Sequence, residues 1–268
     1  MRAHHFLQAD MTAGYDTGPA WSVGEERTIE PKTVIFAGSI IGGLPYRADV
    51  TFEIPAGVAG DAVVCWVGFH SCPTLYDALG NAVGPVACLV DVSEPIVRDK
   101  ARQVSSTRRL LAAYNATRVL RLFACDCAEV ALDRERRGGR EPDGSLWSAV
   151  ETARRYARGH ATEAELNRAR DAAEAAAAKV FPVDDAVHPG RYAAAEAAVA
   201  ATEDAAWSAA AGSSAAAASN ALWDAEYSLG EAPVRERFDA GSAAFQREQK
   251  WHASLLDKVI LPKLKSES

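Results

Sequence analysis

Residues 65–95 read Cys65-Trp66-Val67-Gly68-Phe69-His70-Ser71-Cys72-Pro73-Thr74-Leu75-Tyr76-Asp77-Ala78-Leu79, then a loop from Gly80 to Pro85, then Val86-Ala87-Cys88-Leu89-Val90-Asp91-Val92-Ser93-Glu94-Pro95. Reactive residue types sit here between short apolar segments. The pattern predicts a strand entering Gly68, a tight turn carrying His70 and Ser71, a short helix from Thr74 to about Leu79, and a strand from Val86 to Val92. Upstream of this stretch the residues suit short strands. Downstream they suit helices.

Upstream, Ala3 to Leu7 suits a short strand, and Asp10 to Trp21, with Gly14, Gly18 and Pro19, suits a loop. Thr33–Phe36, Asp49–Ile54 and Asp61–Val67 are further strand candidates, separated by turn chemistry at Ile40–Pro45 and Pro55–Gly60. Most glycines, prolines and β-branched residues precede residue 100, whereas alanine dominates from residue 105 onward. The fold class expected is α+β: a small β-rich N-terminal domain over residues 1–104, then an all-α alanine-rich bundle over residues 105–268.

The expected helices begin with Ser106 capping a segment through Tyr114 and a corner at Asn115–Arg118. A long helix then runs to about Arg136 and stops at Gly138-Gly139, with Val119, Leu122, Phe123, Cys127 and Val130 as its apolar stripe. Asp143 or Ser145 caps a helix from Leu146 to Arg158, and Thr162 with Glu165 makes a capping box for the next, which reaches about Val180. Three more are expected over about Arg191–Ala211, Ser214–Leu229 and Pro233–Leu261, broken at Gly212, Gly230 and Pro262. Alanine favours helix and lets helix axes approach closely. The expected large anchors are Trp147, Tyr156, Tyr192, Trp207, Trp223, Tyr227, Phe245 and Trp251.

Composition excludes some functions. A formal charge of -7 and a pI near 5.4 argue against nucleic acid as the main partner. The opening residues lack the apolar core of a signal peptide, and no apolar run reaches the length of a membrane span. Five cysteines, an odd number in a chain rich in core residues, read as reduced thiols in a cytoplasmic protein.

The candidate sites carry alternative readings. His70 with Cys65, Cys72 and Cys88 lacks the paired spacing of a zinc site, so buried thiols are the default and no metal is assigned. Cys125 and Cys127, two apart on a helix, point in different directions. Asp126 falls on the apolar stripe, either as a buried or half-buried charge paired with Arg154 or Arg170, or as a ligand-facing carboxylate. His5, His70 and Asp91 or Glu94 are the catalytic candidates, able to hold a nucleotide. The plainer reading has His70 and Ser71 bonding turn backbone. Arg108-Arg109 and Arg134–Arg137 read as solvated helix ends.

Two resemblances add to this. His5-Phe6, Gly68-Phe69-His70-Ser71, Asp77-Ala78-Leu79, Gly84-Pro85 and Leu89-Val90-Asp91-Val92 resemble a family of uncharacterised phage and bacterial proteins, with residues 31–61 as an insertion. Their order also resembles small ADP-ribosyltransferases of the rifamycin-modifying type. That resemblance would bring NAD as cofactor, place His5 on its ribose with Phe69, His70 and Tyr76 as cofactor-binding candidates, and make Asp91 or Glu94 the acidic residue. A Glu-x-Glu catalytic pair is not evident. The residues by themselves call for no cofactor. Leu120–Ala128, Ala149–Gly159, Ala169–Ala173 and Glu248–His252 resemble an immunity-protein-like helical family found beside bacterial polymorphic toxins, which implies recognition of a protein partner. The function expected is therefore an accessory, partner-binding protein of immunity type. An NAD-binding ADP-ribosyltransferase-like enzyme, active or degenerate, and a phage structural or assembly accessory are the alternatives.

Overall fold

A computed structural model describes residues 1–13, 19–28, 69–99, 102–180 and 188–267, with no side-chain description at Glu94, Pro95 and 97–99. The strands and turns expected between Thr33 and Val67, the insertion at 31–61, and Cys65 lie outside the described residues.

Five described strands, β1 (Arg2–Leu7), β2 (Glu26–Thr28), β3 (Phe69–Ser71), β4 (Val86–Asp99) and β5 (Arg102–Asn115), form one antiparallel sheet. Its order is β1-β4-β5, with β2 and β3 sharing the far edge of β5. The sheet curls back on itself: just beyond β3, Cys72 and His4 exchange both backbone hydrogen bonds at 2.8 Å. His70 thus sits on a strand, opposite Val104, and not in the expected turn. The expected helix from Ser106 to Tyr114 is corrected too: this segment is the second half of β5. Its leucines and alanines favour helix locally, but pairing with β4 along the whole strand outweighs that propensity.

A bulge makes β5 serve both faces. The register steps from Val90–Leu110 to Leu89–Ala112, leaving Leu111 as the additional residue. Leu110 therefore packs inside the curl with Ala3, Leu7, Trp21, Phe69, Cys88, Val90 and Val92, whereas Ala112 faces the helices with Phe6 and Ala87. The boundary drawn at residue 104 falls within β5. The larger core runs without interruption from Phe6 and Ala112 through Leu120 and Phe123 to Leu256, Ile260 and Leu264.

One short helix and six long ones complete the described chain: α1 (Leu75–Leu79), α2 (Thr117–Arg137), α3 (Gly144–Ala157), α4 (Glu163–Lys179), α5 (Pro189–Ala201), α6 (Ala206–Ser228) and α7 (Val234–Ser266). Local chemistry sets most ends. Thr74 caps α1, Asp143 caps α3, and Thr162 with Glu165 closes a reciprocal capping box on α4. Gly139 and Gly159, both at φ +76°, take the chain out of α2 and α3 in a conformation that side chains resist.

Three expectations about the bundle change. The break between α5 and α6 falls at Thr202–Ala205, and Gly212 lies inside α6. That glycine serves close approach: a Cβ there would stand 3.0 Å from the Ala200 Cβ, and next to it the Ser213 hydroxyl donates to the Ala197 carbonyl at 2.7 Å. α7 continues through Pro262 to Ser266: the proline gives no N–H to the Lys258 carbonyl, but Ile260 and Leu264 on either side of it are anchored in the core. The eight aromatic anchors are half-buried or exposed, and α5 and α6 meet through alanines instead. On α2 the buried face is Leu120, Phe123, Ala124, Cys127, Ala128, Ala131 and Leu132, while Val119, Leu122 and Val130 are half-buried.

The joint of loop and sheet is equally tight at Gly84. A Cβ on this residue would lie 2.4 Å from the Gln8 Cα and 2.5 Å from the Leu7 carbonyl oxygen, both backbone atoms. Gly84→Ala is expected to cost about 3 kcal/mol, read as a lower denaturation midpoint, because neither backbone can yield without disturbing β1.

Candidate functional site

The curl of the sheet gathers one set of sequence candidates. Along β1, His5 alternates with Ala3 and Leu7 and so shares their inward face. Arg108 of β5 is 3% exposed. Its guanidinium carbon lies 4.5 Å from the Trp21 ring centroid and 4.9 Å from that of Phe69, and its Nη1 donates to the His70 carbonyl at 3.2 Å. Arg27 covers Trp21 as well, at 4.2 Å, and Trp21 meets Phe69 edge-on at 5.4 Å. Stacking on aromatic faces suits a planar cation. Burial first, then the charges of Arg108 and His70, hold the His5 imidazole well below its usual range. His5 is therefore neutral at pH 7, and among the described residues its buried Nε2 has no hydrogen-bond partner. Arg108 is thus a buried aromatic-stacked cation, not a solvated end.

The remaining candidates disperse. Asp91 is exposed and pairs with the Met1 amine at 2.7 Å, away from the inward-facing Val90 and Val92. Tyr76, on α1, faces the helices with its ring centroid 6.1 Å from that of His252. The side chain of Glu94 lies outside those described. Cys72, Cys88 and Cys125 are buried thiols pushed up to about 12, chiefly by burial, and Cys127 is raised well above its usual value by the same cause. Such thiols stay protonated and unreactive at pH 7. Among the described residues no cluster of three or more His, Cys, Asp or Glu side chains is arranged for a metal ion.

Asp126 does pair with Arg154, at 2.8 Å, and Arg154 also reaches Glu129 at 2.5 Å. The Arg154 and Asp126 side chains are 18% and 39% exposed, so this ion pair is half-buried, beside the fully buried stripe. Arg170 instead pairs with Asp204 at 3.0 Å.

The bundle interior holds charges that residue patterns left unassigned. Glu135, 1% exposed on α2, accepts from Arg140 Nε at 2.6 Å and from Asn220 Nδ2 at 2.7 Å. Arg140 continues to Asp224 at 2.7 Å. Asn220, fully buried on α6, also donates to the Gly190 carbonyl at 2.8 Å and accepts from Arg134 at 2.6 Å. Arg134 then donates to Glu248 of α7 at 2.8 Å. Beyond Glu248 stands His252, 0% exposed, its Nε2 3.8 Å from Glu248 Oε1. A polar spine thus runs across the bundle from Asp224 through Arg140, Glu135, Asn220, Arg134 and Glu248 to His252. Arg134, expected as a solvated end, is its middle.

Backbone supports the spine at its outer end. The carboxylate of Glu135 sits at the first turn of α5, where a Cβ on Gly190 would be 2.9 Å from Glu135 Oε1. An anion at a helix N-terminus is favourably placed. Glu135, Arg140, Asp143 and Arg191 also line a cavity of about 300 Å³, floored by Leu132 and Ala194. A second buried cation, Arg121, reaches from α2 to the Ala201, Glu203 and Asp204 carbonyls where α5 turns into α6. Heptad spacing was the available signal: Arg121, Ala128 and Glu135 share one face of α2 with Ala124 and Ala131, so both charges had to be interior and paired.

One further feature is apolar. Tyr227 and Leu229 at the end of α6, and Val234 and Phe238 on the first turns of α7, are 48%, 37%, 75% and 61% exposed. They share the tip of the α6–α7 hairpin.

No protein-family model matches the chain, and no curated protein and no solved structure matches it.

Proposed function

We propose that the chain is an intracellular accessory protein of the immunity type, whose α6–α7 tip docks a protein partner. The observation that supports this is the apolar tip of Tyr227, Leu229, Val234 and Phe238, exposed together at one hairpin. Large side chains left in water at one place are the usual sign of a contact surface. The residues around them carry Glu226, Glu231, Glu236 and Asp239 against Arg235 and Arg237, and Arg237 is turned back onto the Gly230 carbonyl. The partner element that fits is an amphipathic helix with an apolar stripe flanked by Lys and Arg. No helix among the described residues is long and apolar enough to cross a membrane.

The test is a titration of isotope-labelled protein with two synthetic amphipathic peptides, Leu/Lys and Leu/Glu. The Leu/Lys peptide is expected to shift amides between Trp223 and Asp239, and Phe238→Asp to abolish those shifts with stability changed by no more than about 0.5 kcal/mol. Equal responses to both peptides, or none, would remove the tip as a docking site.

A second reading rests on a separate observation, the meeting of His5, His70 and the stacked Arg108 within the sheet. It takes the sheet as an NAD-binding unit of ADP-ribosyltransferase type, with Asp91 outside the site. Calorimetric titration with NAD, lost in Arg108→Ala, separates this reading from the first.

A further inference from the structure

His252 is enclosed by three elements besides its own. The Phe123 ring of α2 meets it edge-on at 6.0 Å, Tyr76 of α1 stands 6.1 Å away, and α6 brings Ser214, hydrogen-bonded to Tyr76. Trp251, its neighbour on α7, covers it at 5.1 Å. Among the described residues neither ring nitrogen has a hydrogen-bond partner, and nor has Glu248 Oε1, the carboxylate oxygen that Arg134 does not hold. An imidazole so placed is strained toward one of two answers: stay neutral, or find an acceptor.

We propose that His252 is a proton-operated latch that fastens α7 to α1 and α2. At the His252 end of the spine the charges balance: Arg134 carries one positive charge, Glu248 one negative, and His252 none. A proton from solvent, taken by Nε2, leaves two cations facing a single carboxylate in a closed apolar cage. The imidazolium draws Glu248 Oε1 from 3.8 Å, loosens the Arg134–Glu248 contact and leaves one uncompensated buried charge. The cheapest relief is for α7 to swing out and admit water, which also frees Leu256, Ile260 and Leu264 from the core.

The other titratable groups facing this place agree. Cys127 of α2 and Tyr76 of α1 both lie near Glu248 and are held protonated by burial, so they offer the imidazolium no negative charge. One turn further along α7, Asp257 faces His4 of β1, whose buried Nδ1 also has no partner among the described residues. Burial and the Arg134 charge push His252 down to about 4. A folded-state value below the ordinary 6.5 means that stability present above pH 6.5 is lost as pH falls through 6.5 toward 4. The latch is closed at neutral pH and opens in acid. It needs no partner protein and stands whether or not the hairpin tip docks one.

Hydrogen exchange of the intact protein between pH 7 and 4.5, corrected for intrinsic rates, reads the latch. Amides of α7 from Gly241 to Leu264 are expected to open up to about tenfold more for each pH unit below 6.5, and His252→Gln is expected to remove that acid-dependent gain. Equal acid responses in the two proteins would overturn the proposal. Should His252→Gln fail to fold, a histidine-ring NMR titration of the unaltered chain decides: an imidazole that titrates near pH 6.5 with α7 undisturbed overturns it, and one that stays neutral until α7 amides shift supports it.

Discussion

Glu135→Ala is expected to cost about 3–5 kcal/mol of stability, because it removes one carboxylate and strands three partners. Arg140 would keep only Asp224, Asn220 would lose one of its acceptors, and the first turn of α5 would lose the anion beside it. Glu135→Gln keeps an oxygen for Asn220 but not the charge for Arg140, and is expected to cost less. Denaturant unfolding at pH 7 checks the series, with the midpoint falling and the slope unchanged. A loss of less than about 1 kcal/mol for the alanine variant would mean that the spine is not holding the bundle together. The high cost does not imply that the pair is a net source of stability relative to apolar packing. It reflects what a broken interior pair leaves behind.

Arg121→Ala is the second large effect, expected at about 3–4 kcal/mol. The guanidinium serves the Ala201, Glu203 and Asp204 carbonyls at a turn where helix hydrogen bonding has run out, and it lies 5.4 Å from the Tyr156 ring centroid. Charge-assisted bonds of this kind contribute about 1.5–3 kcal/mol each, though not additively. Arg121→Lys offers a compact charge in place of the fork and should recover only part of the loss. The location can be checked independently of the size: hydrogen exchange should rise first at residues 202–206. A rise spread evenly over the bundle would place the role of Arg121 elsewhere.

Both residues show why the helical half was harder to read than its outline suggested. Helix existence was plain from alanine content and capping chemistry. The face of α2 turned inward was not, because Arg121 and Glu135 broke the apolar stripe and invited a stripe through Val119, Leu122 and Val130 instead. A charge is legible as interior only when its partner is known, and the partners of Glu135 lie five and 85 positions away, at Arg140 and Asn220.

The sheet candidates divide in the same way. His5 and Phe69 do face one interior, with His70 close by, and Arg108, stacked over the Trp21 and Phe69 rings, was set aside as solvated. Asp91 fails to join because period-two alternation turns it outward from Val90 and Val92, a point that the strand pattern already contained.

Sequence alone determined the local structure: the short helix after Thr74, the strand from Val86, the capping box at Thr162, the stops at Gly139 and Gly159, and the α+β class. Each follows from side-chain and backbone chemistry within a few residues. Tertiary structure decided what needs a distant partner. β5 is a strand because β4 lies beside it, Gly212 is helical because α5 approaches it, and His252 is sealed because α1, α2 and α6 close around α7. Propensity is a matter of tenths of a kcal/mol per residue, whereas a strand partner or a buried charge contributes several, so wherever the two conflict the long-range contact prevails.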